Sequence, residues 1–305
     1  MFVGFDTSNY TTSVAVFDGE KIIQRKKLLT VRHGEKGLRQ SEAVFQHTVN
    51  LPQLVSSLNL GEVKVNAVAV SNKPRNVEES YMPCFLVGEC NAITVAEFSN
   101  APVYKTSHQA GHILAALYSV DKMEFINSPF IAFHLSGGTT EALLVTPDKN
   151  EIIKAQVVSE SLDLKAGQAI DRTGVMLGLD FPCGKEIDEL SKQSDKKYNF
   201  KPSFKGINCS LSGVENKVKK MIENGENQYD VSKFVLHCVT LTIDKMLNLI
   251  LEKYGNMPVI FSGGVSSNSY LRNYITERYN AYFAAPEFSC DNAAGVAVYG
   301  YLKSL

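Results

Sequence analysis

Short apolar runs and hydroxyl-rich turns alternate from the first residues onward. Phe2-Val3-Gly4-Phe5 and Ser13-Val14-Ala15-Val16-Phe17 read as strands on either side of Asp6-Thr7-Ser8-Asn9-Tyr10-Thr11-Thr12. Asp18-Gly19 before Lys21-Ile22-Ile23 is a hairpin signal, since that pair tolerates the positive φ a tight turn needs. A 3.6-residue pattern then predicts a helix from Ser41 to Leu58, a buried strand at Ala67-Val68-Ala69-Val70 and a second helix from about Met82 to Phe98. Thr106-Ser107 supplies the cap of a third, which carries His108-Gln109-Ala110-Gly111-His112 in its first turns.

The second half opens like the first. Phe130-Ile131-Ala132-Phe133-His134-Leu135 is a strand, Ser136-Gly137-Gly138-Thr139-Thr140 a turn, and Glu141-Ala142-Leu143-Leu144-Val145 the returning strand. A unit repeated after about 130 residues, among alternating strands and helices, predicts an α/β protein of two lobes on one plan. The lobes are expected at 1–125 plus 286–305 and at 126–285. Asp163 to Arg172 runs into a helix ending near Leu179, and Phe181-Pro182-Cys183-Gly184 turns into another through Ile187-Asp188-Glu189-Leu190. Residues 191–205 are polar and lysine-rich, as expected of a surface loop. Val231 to Leu251 is a long amphipathic helix in which His237 and Cys238 read as core residues. Pro258-Val259-Ile260-Phe261 is a buried strand leading through Ser262-Gly263-Gly264 to Asn268 and a helix, and Ser289 to Gly295 opens a last, small-residue helix.

Composition narrows the class. The 305 residues are 44% hydrophobic and 21% charged with net charge −1, which suits a soluble globular protein and does not mark a general nucleic-acid binder. No run of 18 apolar residues and no signal-peptide pattern is present, so a cytoplasmic protein without membrane attachment is expected. The six cysteines form no CxxC pair and read as reduced thiols. Residues 21–39 are locally basic, which suits either a solvated hairpin or a surface for a polyanion such as RNA.

Candidate chemistry centres on His108 and His112. Four residues apart on a helix, they lie about 400° around and about 6 Å along the axis, hence on one face, where neutral imidazoles can share one cation. The Thr/Ser-rich first turn offers hydroxyls and N–H groups to phosphate oxygens, and an Asp at the strand end can orient a cation or water. Ser136-Gly137-Gly138 and Ser262-Gly263-Gly264 are further anion-facing turns. An Asp on the cleft face of 163–172 can accept bonds from ribose hydroxyls, and the Pro182–Gly184 turn can lie beneath a nucleotide. Asp291 is either a helix cap or a carboxylate ligand.

In order and spacing, six blocks resemble the TsaD (Gcp) family of tRNA threonylcarbamoyladenosine synthases: FDTSNYTTSVAV at 5–16, HQAGH at 108–112, HLSGGTTEALLV at 134–145, AGQAIDRTGVMLGLDFPCG at 166–184, FSGGVSSNSYLR at 261–272 and CDNAAGVAVYG at 290–300. The resemblance implies an actin/Hsp70/sugar-kinase (ASKHA) fold with a nucleotide and metal cleft. His108, His112 and Asp291 would then hold one divalent metal, iron or zinc. His134, Leu135, Ser136, Gly137 and Gly138 would cradle the adenylate, and Asp171, Gly184, Asp188 and Asn268 its ribose and base. The implied reaction moves a threonylcarbamoyl group from threonylcarbamoyl-AMP to N6 of adenosine-37 in ANN-decoding tRNA, with ATP or AMP as related ligands. A smaller paralogous subunit, an ATPase and a separate adylate-forming enzyme are implied partners. A homodimer through the helix around Ala92 and Ile93 is also expected, although core packing explains that helix equally well.

Departures from the family pattern keep other readings open. Asn9-Tyr10-Thr11 lacks the acidic residue that usually follows the first Thr-Ser. Thr139 stands where SGGHT has its histidine, Asp163–Arg172 has lost two acids of DDAAGEAFDK, and Cys183 replaces the first glycine of PGG. The alternatives are a carbamoyl- or acyltransferase with a non-tRNA acceptor and a non-catalytic nucleotide-binding regulator. A metalloprotease is the third alternative and the one the residues fit worst, because HExxH needs a glutamate base and this chain has Gln109 there.

Overall fold

The computed structural model describes residues 1–8, 10–31, 37–290 and 293–305. It divides into two units: residues 1–128, 146–155 and 287–305 form the first, and 129–145 with 156–286 the second.

In the first unit, β1 (Phe2–Ser8), β2 (Thr11–Phe17) and β3 (Ile22–Leu28) form an antiparallel meander. Helix α1 (Gln40–Ser56) follows, then β4 (Ala67–Lys73), α2 (Phe85–Ser99), β5 (Val103–Ser107) and α3 (His108–Ser119). β4 pairs in parallel with β1, and β5 with β4, giving the order β3-β2-β1-β4-β5. Every residue of β1 and β2 is buried, as in strands covered on both faces.

The second unit repeats the plan. β6 (Phe130–Leu135), β7 (Thr140–Asp148) and β8 (Ile152–Glu160) form the meander. Helices α4 (Ala166–Met176) and α5 (Gly184–Ser191), the short hairpin β9 (Ser203–Lys205) and β10 (Asn208–Ser210), and helices α6 (Ser212–Glu223) and α7 (Gln228–Tyr254) intervene. Then come β11 (Val259–Ser262), α8 (Ser269–Thr276) and β12 (Ala281–Phe283). β11 pairs in parallel with both β6 and β12, so the order is β12-β11-β6-β7-β8, the same path read from the other edge. Stacked rings of Phe133, Phe261 and Phe283 cross three adjacent strands of this sheet. Helix α7 is long and apolar enough to cross a bilayer by length and composition alone. Its apolar residues, including Val235, Cys238, Ile243 and Leu247, are instead core.

The chain ends with α9 (Pro286–Ser289) at the unit boundary and α10 (Ala294–Ser304) in the first unit. α10 lies on α3, β1 and β4. Two glycines permit that approach. A Cβ at Gly295 would fall on the backbone of Gly111 and Ala115 in α3, and one at Gly4 on the backbone of Ala293 and Ala297.

The expected loop at 191–205 is irregular until β9, whose hairpin turns at Gly206 with φ +62°. The polar letters of the first turn correct a second expectation. Thr7, Ser8, Thr11 and Thr12 belong to the strands and are buried, and the Thr7 and Thr12 hydroxyls bond within the fold. Thr7 Oγ1 donates to Cys84 O at 3.0 Å and accepts from Gly88 N at 3.0 Å, tying β1 to α2. Ser13 Oγ donates to Asp6 O at 3.0 Å. Asn9 lies outside the described residues.

Candidate active site

The histidine pair sits where three parallel strands end. Asp6 is near the C-terminal end of β1, Ser71 in β4, and His108 follows β5 directly. Carboxyl ends of parallel strands are the usual place for ligand-binding side chains in open α/β sheets. Ser107 caps α3, its Oγ accepting from Ala110 N at 3.2 Å, which fixes the first turn that carries the pair. The two rings meet edge to face, with centroids 4.3 Å apart, and their Nε2 atoms are 2.9 Å apart. Behind them, His108 Nδ1 is 2.7 Å from Asp6 Oδ2. The same oxygen accepts from Ser71 Oγ at 2.7 Å, and Asp6 Oδ1 accepts from Ser8 N at 2.9 Å.

This arrangement fits a divalent cation in donor type and spacing. Two nitrogens each about 2.1 Å from one ion at a right angle would lie about 3 Å apart. Asp291, the third expected ligand, lies outside the described residues. Among the described residues no group of three His, Cys, Asp or Glu side chains converges.

Near this cluster, His47 is wholly buried on α1, with Nδ1 2.8 Å from Thr12 Oγ1. Burial pushes its pKa down to about 4, against the opposing pull of Asp6 and of a Ser8 backbone bond. In the unfolded chain the ring titrates near its ordinary value of about 6.5. The unfolded state therefore binds more protons between these values, and stability falls as the pH drops through that window. The expected loss approaches about 3 kcal/mol at the acid end. Urea unfolding at pH 7 and pH 4.5 checks this: a His47→Gln variant should lose markedly less stability than wild type on acidification. Equal losses would mean that His47 is not the group responsible.

The second unit holds a cavity of about 560 Å³ lined by Gly137, Gly167, Ile170, Asp171, Phe181, Pro182, Gly184, Asp188, Val265 and Asn268, among others. Five of the sequence-derived candidates, Gly137, Asp171, Gly184, Asp188 and Asn268, thus share one hollow. His134, Leu135, Ser136 and Gly138 are not among its lining residues. Leu135 is fully buried, and His134 Nδ1 lies 3.4 Å from Ser262 Oγ. Ser136 Oγ accepts from Thr139 N at 3.0 Å and Gly138 N at 3.3 Å, which closes the turn on itself. Gly167 opens α4 against this turn, since a Cβ there would fall 2.6 Å from Gly137 N.

Asp171 projects from α4 and accepts from Cys183 N at 2.9 Å, and burial raises its pKa despite that bond. The departure at Cys183 has a physical partner. Its side chain fills the space over Gly174, where any Cβ would collide with Cys183 Cβ and Sγ. Asp188 accepts from Asn268 Nδ2 at 2.9 Å, Ser269 N at 3.1 Å and Ser269 Oγ at 2.9 Å. Asn268 Oδ1 caps α8 by accepting from Leu271 N at 3.0 Å. The two candidates therefore brace each other and the cavity wall. A neighbouring hollow of about 530 Å³ shares Gly137, Asp171 and Phe181 and adds Gln168, Arg172, Val175 and Glu215. Phe181, 74% exposed and lining both, carried no signal in the hydropathy pattern. Gly167 was legible only as part of its motif.

The family model described as tRNA N6-adenosine threonylcarbamoyltransferase, TsaD, matches residues 22–298. The chain belongs to the TsaD family. Its similarity to other TsaD proteins runs end to end. The tRNA N6-adenosine threonylcarbamoyltransferase of Thermosipho melanesiensis is 30% identical over 318 residues, covering 98% of this chain and 93% of that protein. That of Riemerella anatipestifer is 27% identical over 321 residues, covering 99% and 92%. Solved structures share the fold at much lower identity. Component A of (R)-2-hydroxyglutaryl-CoA dehydratase from Acidaminococcus fermentans superposes with a TM-score of 0.59 at 14% identity, covering 99% of this chain and 98% of that one. HypF from T. kodakarensis reaches 0.63 at 11% identity, covering 99% of this chain and 47% of its own. A ROK-family glucokinase from Streptomyces griseus reaches 0.52 at 11% identity, covering 99% and 98%. The TsaD chain thus has the α/β fold of the actin, Hsp70 and sugar-kinase class, and as a member of a transferase family it is an enzyme.

Proposed function

We propose that this protein transfers a threonylcarbamoyl group from threonylcarbamoyl-AMP to N6 of adenosine-37 in ANN-decoding tRNA. The observation that carries the reading is the convergence of two imidazole Nε2 atoms at 2.9 Å in a chain that aligns with the family nearly end to end. His108 and His112 would hold a divalent cation, iron or zinc, with Asp291 as the expected third ligand. When bound, such a cation would supply Lewis-acid polarisation of the donor carbonyl and offset charge on the departing phosphate.

The remaining work falls to the chain's own groups. The 560 Å³ cavity would receive the adenosine moiety, with Phe181 and Pro182 as an apolar wall. Asp171 would accept from ribose hydroxyls, its orientation fixed by the Cys183 N–H. Asp188 and Asn268, locked together, would keep the wall rigid so that little ordering is lost on binding. Gly137, with Gly167 packed against it, would bring backbone close to the phosphate. No side-chain nucleophile is needed, because the mixed anhydride is already activated and the acceptor amine attacks it directly.

The test is single-turnover transfer from radiolabelled threonylcarbamoyl-AMP to unmodified ANN-decoding tRNA, with the smaller paralogous subunit and the ATPase partner added. Label on adenosine-37 is expected. No transfer under these conditions, with AMP still bound, would overturn the reading in favour of another acceptor.

The basic stretch supplies a surface for that acceptor. β3 is an edge strand whose Arg25, Lys26 and Lys27 are exposed. Arg25 donates to the Ser57 and Gln24 carbonyls and Lys26 to the Glu287 carbonyl, and among the described residues none of the three forms an ion pair with a carboxylate. A Lys26→Glu, Lys27→Glu variant should raise the Kd for tRNA about tenfold and reduce the slope of log K against log salt by about two. Filter binding across a salt series measures both, and an unchanged slope would place the tRNA elsewhere.

A further inference from the structure

We propose that Asp6 is a positioning residue that holds His108 as its Nδ1–H tautomer and so presents a bare Nε2 lone pair to the cation. This rests on the metal reading above and extends it from the ligands to the group that sets their chemistry.

Asp6 is 1% exposed, and two donors already converge on it: Ser8 N at 2.9 Å on Oδ1 and Ser71 Oγ at 2.7 Å on Oδ2. A buried carboxylate that accepts several bonds is favoured in its ionised form, and an ionised carboxylate can only accept. The 2.7 Å contact from Oδ2 to His108 Nδ1 therefore requires the hydrogen on Nδ1. A neutral imidazole has one N–H, so Nε2 of His108 is left as an acceptor. His112 Nε2, 2.9 Å away, then donates to it when no cation is present. A cation held by both residues would require His112 Nε2 to be bare as well. A carboxylate behind a ligating histidine both fixes the ring and raises its basicity.

Position supports the assignment. Asp6 and Ser71 sit one step beyond the Phe5–Val70 pairing of adjacent parallel strands, and His108 opens the helix after the next strand. Three strand ends thus impose the contact across 102 residues of sequence. Ser71, buried in β4, in turn limits which way the carboxylate can rotate.

Two measurements test it. Nitrogen-15 NMR of histidine-labelled, metal-free protein at pH 8.5, assigned with His108→Gln, should show His108 as the Nδ1–H tautomer. An Nε2–H or doubly protonated ring would overturn the proposal, and this readout needs no altered Asp6. Chelator competition with zinc, and cobalt absorption spectra, should then show Asp6→Asn binding about 10–100-fold more weakly than wild type. Asp6→Glu should recover part of the loss, and circular dichroism should show both variants folded. Wild-type affinity in Asp6→Asn, alongside loss of binding in His108→Ala, would overturn the role of Asp6 alone. Wild-type affinity in His108→Ala would overturn the metal reading and this role with it.

Discussion

A His112→Ala variant should transfer threonylcarbamoyl to tRNA about a thousandfold more slowly than wild type while melting within a few degrees of it. The expected size follows from the charge that the reaction develops. Attack by an exocyclic amine on a mixed anhydride develops charge on the carbonyl oxygen and on the phosphate. A thousandfold corresponds to about 4 kcal/mol of transition-state stabilisation, the scale of a lost Lewis acid. His112 is nearly buried, on the same face as His108, and its removal would leave a single imidazole to hold the proposed ion. The fold should tolerate the change because α3 is held by its Ser107 cap and by the buried Ile113, Leu114 and Leu117. Single-turnover kinetics, metal analysis and a thermal melt on the same preparation decide it. A rate within threefold of wild type would mean that the pair does not hold the catalytic ion.

Gly295→Ala should be the most damaging single methyl in the first unit. The added Cβ would meet backbone atoms of Gly111 and Ala115, which cannot rotate away as a side chain could. Either α10 or α3 has to move, and α3 carries both histidines. Overpacking against backbone is expected to cost about 3 kcal/mol, or roughly 6–12 °C in Tm, with a parallel fall in metal affinity. Gly300→Ala on the same helix is the control, since its Cβ would meet only Ala69 Cβ, at 3.1 Å, in close range. It should cost under about 1.5 kcal/mol. Similar melts for the two variants would show that the helix pair yields more easily than its spacing implies.

What was legible in the sequence had a local cause. The Thr-Ser cap before HQAGH placed the start of α3 near Ser107, because the capping hydroxyl and the helix it starts are neighbours in the chain. The first meander was legible in full and the second as far as β7, and the recurrence of strand, turn and strand announced the duplicated sheet. The contact between Asp6 and His108 was not, because two parallel pairings, β1 with β4 and β4 with β5, create it. The hydroxyls at Thr7, Ser8, Thr11 and Thr12 misled for a related reason. Their polarity reads as a solvent-facing loop, yet the Ser8–Thr11 pairing carries both strands to the very tip of the turn. Cys183 read as a loss until Gly174 was seen beneath it, a compensation between two residues on different elements. In the second unit, the motifs at 166–184 and 261–268 met in one hollow, while Phe181 needed the structure to reveal that its ring stands exposed at the rim.

The first unit is assembled from residues 1–128, 146–155 and 287–305, whereas the second is complete by residue 286. During synthesis, the part of the protein that emerges first is therefore finished last. Until α10 leaves the ribosome, β1, β4 and α3 lack the helix that covers them, and apolar surface around Ala69 and Leu114 waits for its cover. A chain cut off after residue 286 should bear a folded second unit and an unfinished first one, a state in which chaperones find a binding site that the completed protein hides.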